Sequence, residues 1–367
     1  RRPPLVAPKP PLVARRPRRS AACTTPRVMS DATIVTSEPA FFRSSTEEPH
    51  LRRRKAILAE HPEVRALCGY DRNTIWITLL VGIAQLALAY GVARSELSYW
   101  LVLPLAYFVG SVLSHWSAMS IHETSHNLAA RASLGNRAVA WLANLSMVLP
   151  MAETFRRYHL KHHTHLGVEE EDSDLPRAVE VRWIGAGRIA KLLWLLVYPV
   201  AYLIRGASYA GRLSRAEALH MAFMLAVNLA LYEALGWRGM VYLALSTAIG
   251  HGPHPVAAHF IHEHYVFAPG QETFSYYGIL NWVTFNVGYH YEHHDLPSIP
   301  GSRLPAYRRI TDKHYADLVS HTSWTWVLWH FVTSRVMGAH SRIVRTREVH
   351  DLGRQRAASR DSTPSPA

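Results

Sequence analysis

Long apolar runs alternate with charged segments along this chain of 367 residues. Two runs, Ile75–Ala93 and Tyr99–Ile121, contain no Asp, Glu, Lys or Arg, and each is long enough to cross a bilayer core as a helix. The link between them, RSELS, is short enough to force a hairpin. Ala218–Tyr232 and Gly239–His262 form a second apolar pair. The pattern predicts an all-α, multi-pass membrane protein with about four transmembrane helices in two hairpins, plus interfacial helices.

Other segments are expected beside the membrane or outside it. Leu192–Ile204 contains Pro199 and is too short to span, so we expect an interfacial or re-entrant segment. Within residues 41–72, Glu, Arg and apolar residues recur at helical spacing, which predicts an amphipathic N-terminal helix at a membrane surface. We expect a disordered basic and Pro-rich leader at residues 1–40, the membrane domain at residues 73–342 and a disordered basic tail at residues 343–367.

The placement of charge indicates a topology. The chain has 40 Lys and Arg against 27 Asp and Glu, a net charge of +13. Nine of the basic residues lie between His122 and Lys191, whereas the hairpin links carry one each, Arg94 and Arg238. By the positive-inside rule, the tails and this middle segment face the cytosol, where they form a histidine-rich cap. A nucleic-acid partner is not favoured because no basic aromatic module is visible. Only 2 Cys are present, which excludes disulfide scaffolds and iron–sulfur proteins.

The 23 histidines are clustered rather than scattered. One cluster has the spacing H-x-x-x-H and two have the spacing H-x-x-H-H, and on a helix these spacings place the imidazoles on one face. Eight imidazoles exceed what one metal ion takes, so the pattern predicts two metal ions with nitrogen ligands, for which iron, zinc or copper is suited. The predicted ligands are His122 and His126, then His159, His162 and His163, then His290, His293 and His294.

A fourth histidine group, HPVAAHFIHEHYVF, lies at the cytosolic end of the last apolar run and returns to the same membrane face as the other clusters. We predict two further ligands from it, His259 and His264. Neighbouring groups are expected to support the ligands. The carboxylates would do so by accepting a hydrogen bond from the ring N–H of a ligand that points away from the metal. These predicted supporting residues are His115, His254, His262, Glu123, Glu263, Glu292 and Asp295. The acidic run at residues 169–174 is interpreted as a solvated loop or, alternatively, a docking site for a donor.

The first cluster, HETSH, also matches the zinc protease signature H-E-x-x-H, with Glu123 as its general base. At a membrane boundary this alternative would give an intramembrane protease. It would leave six of the eight clustered histidines without a role.

Five longer segments carry a resemblance to a known family. They are PHLRRRKAILAEHPEV, SIHETSHNLA, RYHLKHHTHLGVEEEDSDLP, HPVAAHFIHEHYVF and QETFSYYGILNWVTFNVGYHYEHHDLPSIPGSRLP, between Phe41 and Arg342. With these segments the chain resembles the membrane fatty acid desaturases and, more narrowly, the sphingolipid delta-4 desaturases. It departs from that pattern in three places: Ser30 follows Met29 where animal members have a Gly for myristoylation, Tyr291 stands where Asn is expected, and His262 is not expected.

The resemblance implies an enzyme that uses two non-haem iron ions and O2 to convert dihydroceramide to ceramide at C4–C5. It implies electrons from NADH through cytochrome b5 and its reductase. The implied location is the endoplasmic reticulum membrane with both termini cytosolic, or the inner membrane if the source is bacterial. Asn286, Tyr289 and Tyr291 are candidates to hold the polar head of the lipid. A sphingolipid C4-hydroxylase, another membrane lipid desaturase and a non-catalytic metal-binding membrane protein are the alternatives.

Overall fold

The computed structural model describes residues 40–185, 187–209 and 212–359, which are mainly helical. The predicted leader lies outside these residues apart from Ala40. The helices are α1 (His50–Glu60), α2 (Asn73–Arg94), α3 (Tyr99–Leu105), α4 (Ser111–Ser125), α5 (Ser133–Asn144), α6 (Ala152–Thr164), α7 (Ala178–Ile184), α8 (Arg188–Tyr209), α9 (Arg215–Gly250), α10 (His259–His262), α11 (His290–Asp295), α12 (Leu304–Ile310), α13 (Trp324–Thr333) and α14 (Arg347–Ser359). The strands have two residues each: β1 (Phe42–Arg43), β2 (Ser275–Tyr276), β3 (Ser320–His321) and β4 (Ile343–Val344).

The two predicted hairpins are confirmed. A π-helical turn at residues 106–110 joins α3 and α4 into one apolar segment that pairs with α2. Helix α9 is divided by Gly236, whose φ of 61° breaks the helix into two arms. Arg238, just after this break, donates to the carbonyl of Leu97 in the first hairpin link. The two links therefore lie at the same end of the molecule, and the long middle segment lies at the other end.

Helix α8 differs from its prediction. The 13-residue apolar run is part of a longer helix, of which Arg188–Gly206 is long and apolar enough to cross a membrane. The predicted length was too short because it ended the segment at its charged residues, which have partners inside the protein; the expected interfacial or re-entrant position stays a prediction. The Lys191 ammonium donates to the carbonyls of Phe331, Ser334 and Met337, at 2.6 to 2.8 Å. Such pairing lets a charged residue sit in an apolar helix.

Helix α2 presents an apolar face to the surroundings and a polar face to the protein. Trp76, Leu80 and Ile83 are more than 60% exposed, as expected of side chains that contact lipid. On the opposite face, buried Gln85 donates to the carbonyl of Gly110 at 3.2 Å. At Gly110 a Cβ would lie 2.1 Å from the Ser246 hydroxyl oxygen, so this glycine allows the π-helical turn to contact α9 closely.

The two ends of the described chain meet on the histidine-rich side. Strands β1 and β4 pair in parallel, with Phe42 opposite Ile343, and α14 follows. The prediction of a disordered tail from residue 343 is therefore wrong for residues 343–359, whose order depends on contacts distant in sequence. Helix α1 also departs from its prediction: its apolar side packs on protein, with Ile57 fully buried in a cluster with Tyr291 and Leu296.

Candidate metal centre

Four segments bring predicted ligands to one place. His122 lies in the last turn of α4 and His126 caps that helix. Helix α6 carries the second cluster, α11 carries the third, and His264 follows α10. The spacing in each helix points the rings to one side, as the sequence predicted. The helices meet through packing of α6 against α4.

Five imidazoles form a first set, called here the five-histidine group: His122, His126, His159, His163 and His293. The Nε2 atom of His159 lies 2.8 Å from that of His126 and 3.1 Å from that of His163. The Nε2 atoms of His163 and His293 are 3.2 Å apart. The Nε2 atom of His122 is buried without a hydrogen-bond partner. The group thus directs its nitrogen atoms towards one another.

A second set, called here the four-histidine group, consists of His162, His264, His290 and His294. One ring nitrogen from each of His162, His264 and His294 lies within 4.8 Å of the others. His290 joins them because its Nε2 atom is 2.9 Å from that of His264. The Nε2 atoms of His162 and His264 are 3.1 Å apart, and that of His294 is buried without a partner.

These donors fit two metal ions. Burial lowers the pKa of His126, His159, His163, His264, His290, His293 and His294 well below the ordinary value. Each neutral ring has one lone pair, and lone pairs that face one another at about 3 Å repel unless a cation lies between them. A proton could bridge one pair of facing nitrogen atoms, but His159 Nε2 faces the Nε2 atoms of both His126 and His163, so a single proton would not satisfy all three. Nitrogen-only sets of this kind suit iron, zinc or copper.

Asp172 fixes one ligand and comes from the acidic run that was interpreted as a solvated loop. It is fully buried, and its Oδ1 accepts from His162 Nδ1 at 2.8 Å. Burial alone would raise the pKa of this carboxyl, but the contact with His162 lowers it, and the same pair raises the pKa of His162. The surface interpretation was therefore wrong for Asp172, which holds His162 with its Nε2 towards the other rings.

Only one of the predicted supporting carboxylates faces a ligand ring. Glu263 Oε1 lies 3.2 Å from His290 Nδ1, and burial raises the pKa of Glu263 well above the ordinary value. Glu123 accepts from the Gly301 N–H at 3.1 Å. Glu292 accepts from the Ser275 and Tyr277 hydroxyls, both at 2.6 Å. These two carboxylates hold loops, because their positions on α4 and α11 direct them away from the ligand face.

The position of Glu123 also bears on the protease alternative. A zinc protease needs this carboxylate beside the metal-bound water. Here it is bonded to the backbone at Gly301, and the two histidines of HETSH belong to a set of five. The geometry does not support that alternative.

His259 lies outside both groups, which corrects its prediction as a ligand. Its Nδ1 atom is 3.2 Å from the Val256 carbonyl, and its ring lies 4.6 Å from that of His115. Helix α10 ends at His262, so His264 lies beyond the helix and is directed differently from His259. The three histidines that were predicted to support the ligands have hydrogen-bond partners elsewhere. His115 donates to the Gly250 carbonyl, His254 accepts from the Val256 N–H and His262 accepts from the Trp324 indole.

The three residues predicted to hold the lipid head have structural contacts. Asn286 donates to the Gly301 carbonyl at 2.9 Å. Tyr291 is 3% exposed and lies under the Arg53 guanidinium. The Tyr289 ring packs 5.1 Å from that of Tyr277. None of the three lines the apolar cavity beside the centre.

That cavity is narrow, with a volume of about 20 Å³, and is lined mainly by apolar side chains of α4, α6 and α8. It reaches the five-histidine group at Phe155, whose ring stacks on that of His159 with the centroids 4.8 Å apart. Met119 and Ile121 from α4 and Tyr202 from α8 form other parts of its wall. An alkyl chain would meet apolar side chains here, and these side chains must move apart to admit it.

Sequence reasoning missed two supporting residues besides Asp172. His50 in α1 contacts Asp295, and Thr273 lies between His50 and His264. Neither has a neighbour in sequence that would mark it as part of a metal centre. Asp172 could have been suspected because it lies in an acidic run ten residues after His162.

Comparisons with known proteins agree with this geometry. The fatty acid desaturase family model matches residues 98–330, and the model of the sphingolipid Delta4-desaturase family matches residues 37–73. The chain is 41% identical to sphingolipid delta(4)-desaturase DES1 of Drosophila melanogaster, over 82% of this chain and 94% of that protein. It is 41% identical to sphingolipid delta(4)-desaturase/C4-monooxygenase DES2 of Homo sapiens, over 82% and 93%. For the DES1-like protein of Arabidopsis thaliana the identity is 40%, over 83% and 91%.

Proposed function

This chain belongs to the sphingolipid delta(4)-desaturase family of membrane fatty acid desaturases, and we propose that it converts dihydroceramide to ceramide. The reaction removes one hydrogen from C4 and one from C5 of the sphingoid base and leaves a double bond. One O2 is reduced to two waters with the two hydrogens removed, two further electrons and two protons. The observation that carries the proposal is the convergence of nine imidazoles beside an apolar cavity at the ends of membrane-spanning helices.

We propose iron for both metal positions. The five-histidine and four-histidine groups would each hold one ion through Nε2 atoms. With O2, an iron pair supplies an oxidant strong enough to remove hydrogen from an unactivated methylene, which no side chain can do.

The protein's own side chains position the lipid and exclude water. The apolar wall at Met119, Ile121, Phe155 and Tyr202 would hold the alkyl chain against the five-histidine group. Phe155 covers one face of His159, so it limits the access of water to that ligand. The cavity lies between membrane-spanning helices and the histidine-rich cap, which suits a substrate that arrives from the bilayer.

Electrons are proposed to come from NADH through cytochrome b5 and its reductase. The proposed location is the endoplasmic reticulum membrane, or the inner membrane in a bacterium, with both termini cytosolic. The pairing of β1 with β4 supports this topology, because it places both ends of the described chain on the side of the basic middle segment.

The test is expression of the full chain in cells that lack dihydroceramide desaturase, followed by mass spectrometry of the sphingolipids. We expect ceramide with two hydrogens fewer than its precursor. His163→Ala should abolish the product because it removes a member of the five-histidine group. His165→Ala is the matched control, since this nearby histidine lies outside both groups and contacts Thr164. Absence of product from a well-expressed wild-type chain would contradict the proposal.

C4-hydroxylation is a second candidate, because the human relative DES2 is named a C4-monooxygenase as well as a delta(4)-desaturase. The same first hydrogen abstraction at C4 could lead to either product, so placement of the chain in the cavity decides between them. The same experiment distinguishes the products, since hydroxylation adds one oxygen atom to the precursor and desaturation removes two hydrogens.

A further inference from the structure

His50 of helix α1 lies in the interior next to the four-histidine group, although it belongs to the N-terminal segment. It is 5% exposed, and its ring centroid is 5.0 Å from that of His294. Its Nδ1 atom is 2.7 Å from Asp295 Oδ1 and its Nε2 atom is 2.9 Å from the Thr273 hydroxyl oxygen. Both ring nitrogens are therefore occupied by polar partners within the protein.

The donors and acceptors in this chain of contacts have one consistent order. The Glu272 carbonyl can only accept, so His264 Nδ1 carries the proton; the order that follows has His50 Nδ1–H donating to Asp295 Oδ1, while His50 Nε2 keeps its lone pair. The Thr273 hydroxyl then donates to His50 Nε2. Its oxygen lies 3.4 Å from His264 Nδ1, whose N–H is shared with the Glu272 carbonyl at 3.2 Å. With its Nδ1 protonated, His264 presents the Nε2 lone pair to His162 and His290.

His50 also joins two segments that carry ligands of the same group. Asp295 directly follows His294, and Thr273 lies in the loop after His264. A single imidazole thus bridges the two segments. The other oxygen of Asp295 accepts from the Tyr315 hydroxyl at 2.6 Å, which holds this carboxylate in place. Fixing a ligand's tautomer and orientation through its far nitrogen is how outer contacts tune metal affinity.

We propose that His50 is a positioning residue that sets the tautomer of His264 and its separation from His294. The N-terminal segment that matches the sphingolipid Delta4-desaturase model would then be a structural part of the metal centre. The proposal rests on the metal-binding part of the proposed function. It does not depend on which lipid is the substrate.

The test measures iron binding by the full chain purified in detergent without metal and then loaded anaerobically with ⁵⁷Fe(II). Competition with an iron chelator gives the affinity, and Mössbauer spectra report the two sites separately. For His50→Ala we expect one iron to bind about 10–100-fold more weakly, with a changed spectrum for that site, and the other iron to bind as in the wild type. Arg54→Ala is the matched control, because this residue is exposed on the same helix and belongs to neither histidine group.

Thr273→Val keeps the proposal falsifiable if His50→Ala fails to fold, because it removes only the central hydroxyl. It should weaken the same iron selectively, and the double variant should lose no more than the larger single effect. Thr273→Val that binds both irons as the wild type does, or that loses both equally, would overturn the proposal. Two bound irons without a lipid product would contradict the proposed substrate alone, whereas a wild-type chain that binds no iron would overturn both.

Discussion

Replacing Asp172 by Asn tests whether the carboxylate behind His162 governs metal affinity. In the wild type, Oδ1 accepts from His162 Nδ1 at 2.8 Å and from the Asp174 N–H at 2.9 Å, and Oδ2 accepts from the Gly167 N–H at 2.8 Å. Asparagine has nearly the same shape but only one oxygen. Its amide nitrogen must therefore face at least one N–H donor in this buried pocket.

The expected size of the effect follows from two independent estimates. A hydrogen bond to a charged group contributes about 1.5–3 kcal/mol. Loss of an outer contact to a metal ligand typically weakens metal binding about 10–100-fold, which corresponds to about 1.4–2.8 kcal/mol. Because the two ranges agree, we expect Asp172→Asn to weaken iron binding about 30-fold and to lower product formation at limiting iron.

The assay is chelator competition on the purified chain, with melting of the metal-free protein measured in parallel. Glu170→Gln is the control, since it makes the same chemical change at an exposed position of the same acidic run. Iron affinity of Asp172→Asn within twofold of the wild-type value would refute the reasoning. A fall of similar size in Glu170→Gln would attribute the effect to net charge rather than to the contact with His162.

Three further predictions concern stability. Burial lowers the pKa of seven clustered histidines outside the spans, so below about pH 6.5 the unfolded chain takes up protons before the folded chain does. The free energy of unfolding of the metal-free protein should therefore fall by up to about 1.4 kcal/mol per pH unit for each of these histidines. A melting temperature that does not change between pH 7.5 and 5 would contradict this. Lys191→Met should cost about 3 kcal/mol in detergent unfolding because three carbonyls lose their donor, whereas exposed Lys313→Met should cost almost nothing. Gly110→Ala should lower the melting temperature because its Cβ would overlap Ser246, and Gly82→Ala, which meets open space, should not; equal melting temperatures for the two variants would argue against close packing at Gly110.

The features that were predictable from sequence are those with a local period. Membrane-spanning helices follow from uninterrupted apolar runs, and ligand clusters follow from spacings of three and four residues on a helix. The prediction failed at His259, because the short helix α10 ends at His262 and His264 follows in a different direction. Which of the two histidines reaches the group depends on this turn, and the turn has no periodic signal.

Contacts between distant polar residues were the second source of error. Asp172 looked like part of a solvated run, and the sequence around it does not show that His162 would bury it. His50 contacts residues more than 200 positions away, and so does Phe42 in its pairing with Ile343. A single polar residue that folds against a distant segment leaves no pattern in the chain. Helix α1 and the residues after 343 were therefore placed at a surface or in a disordered tail.

The link from Arg345 to Glu272 has a consequence for biosynthesis. The guanidinium of Arg345 contacts both carboxylate oxygens of Glu272 at 2.7 Å, and the Glu272 carbonyl faces His264. The ribosome must release residue 345 before this contact can form, long after the membrane helices have been synthesised. Loading of the proposed metal ion into the four-histidine group is accordingly expected to be post-translational. A nascent chain arrested upstream of Arg345 should already be inserted in the bilayer but should not retain a full complement of metal.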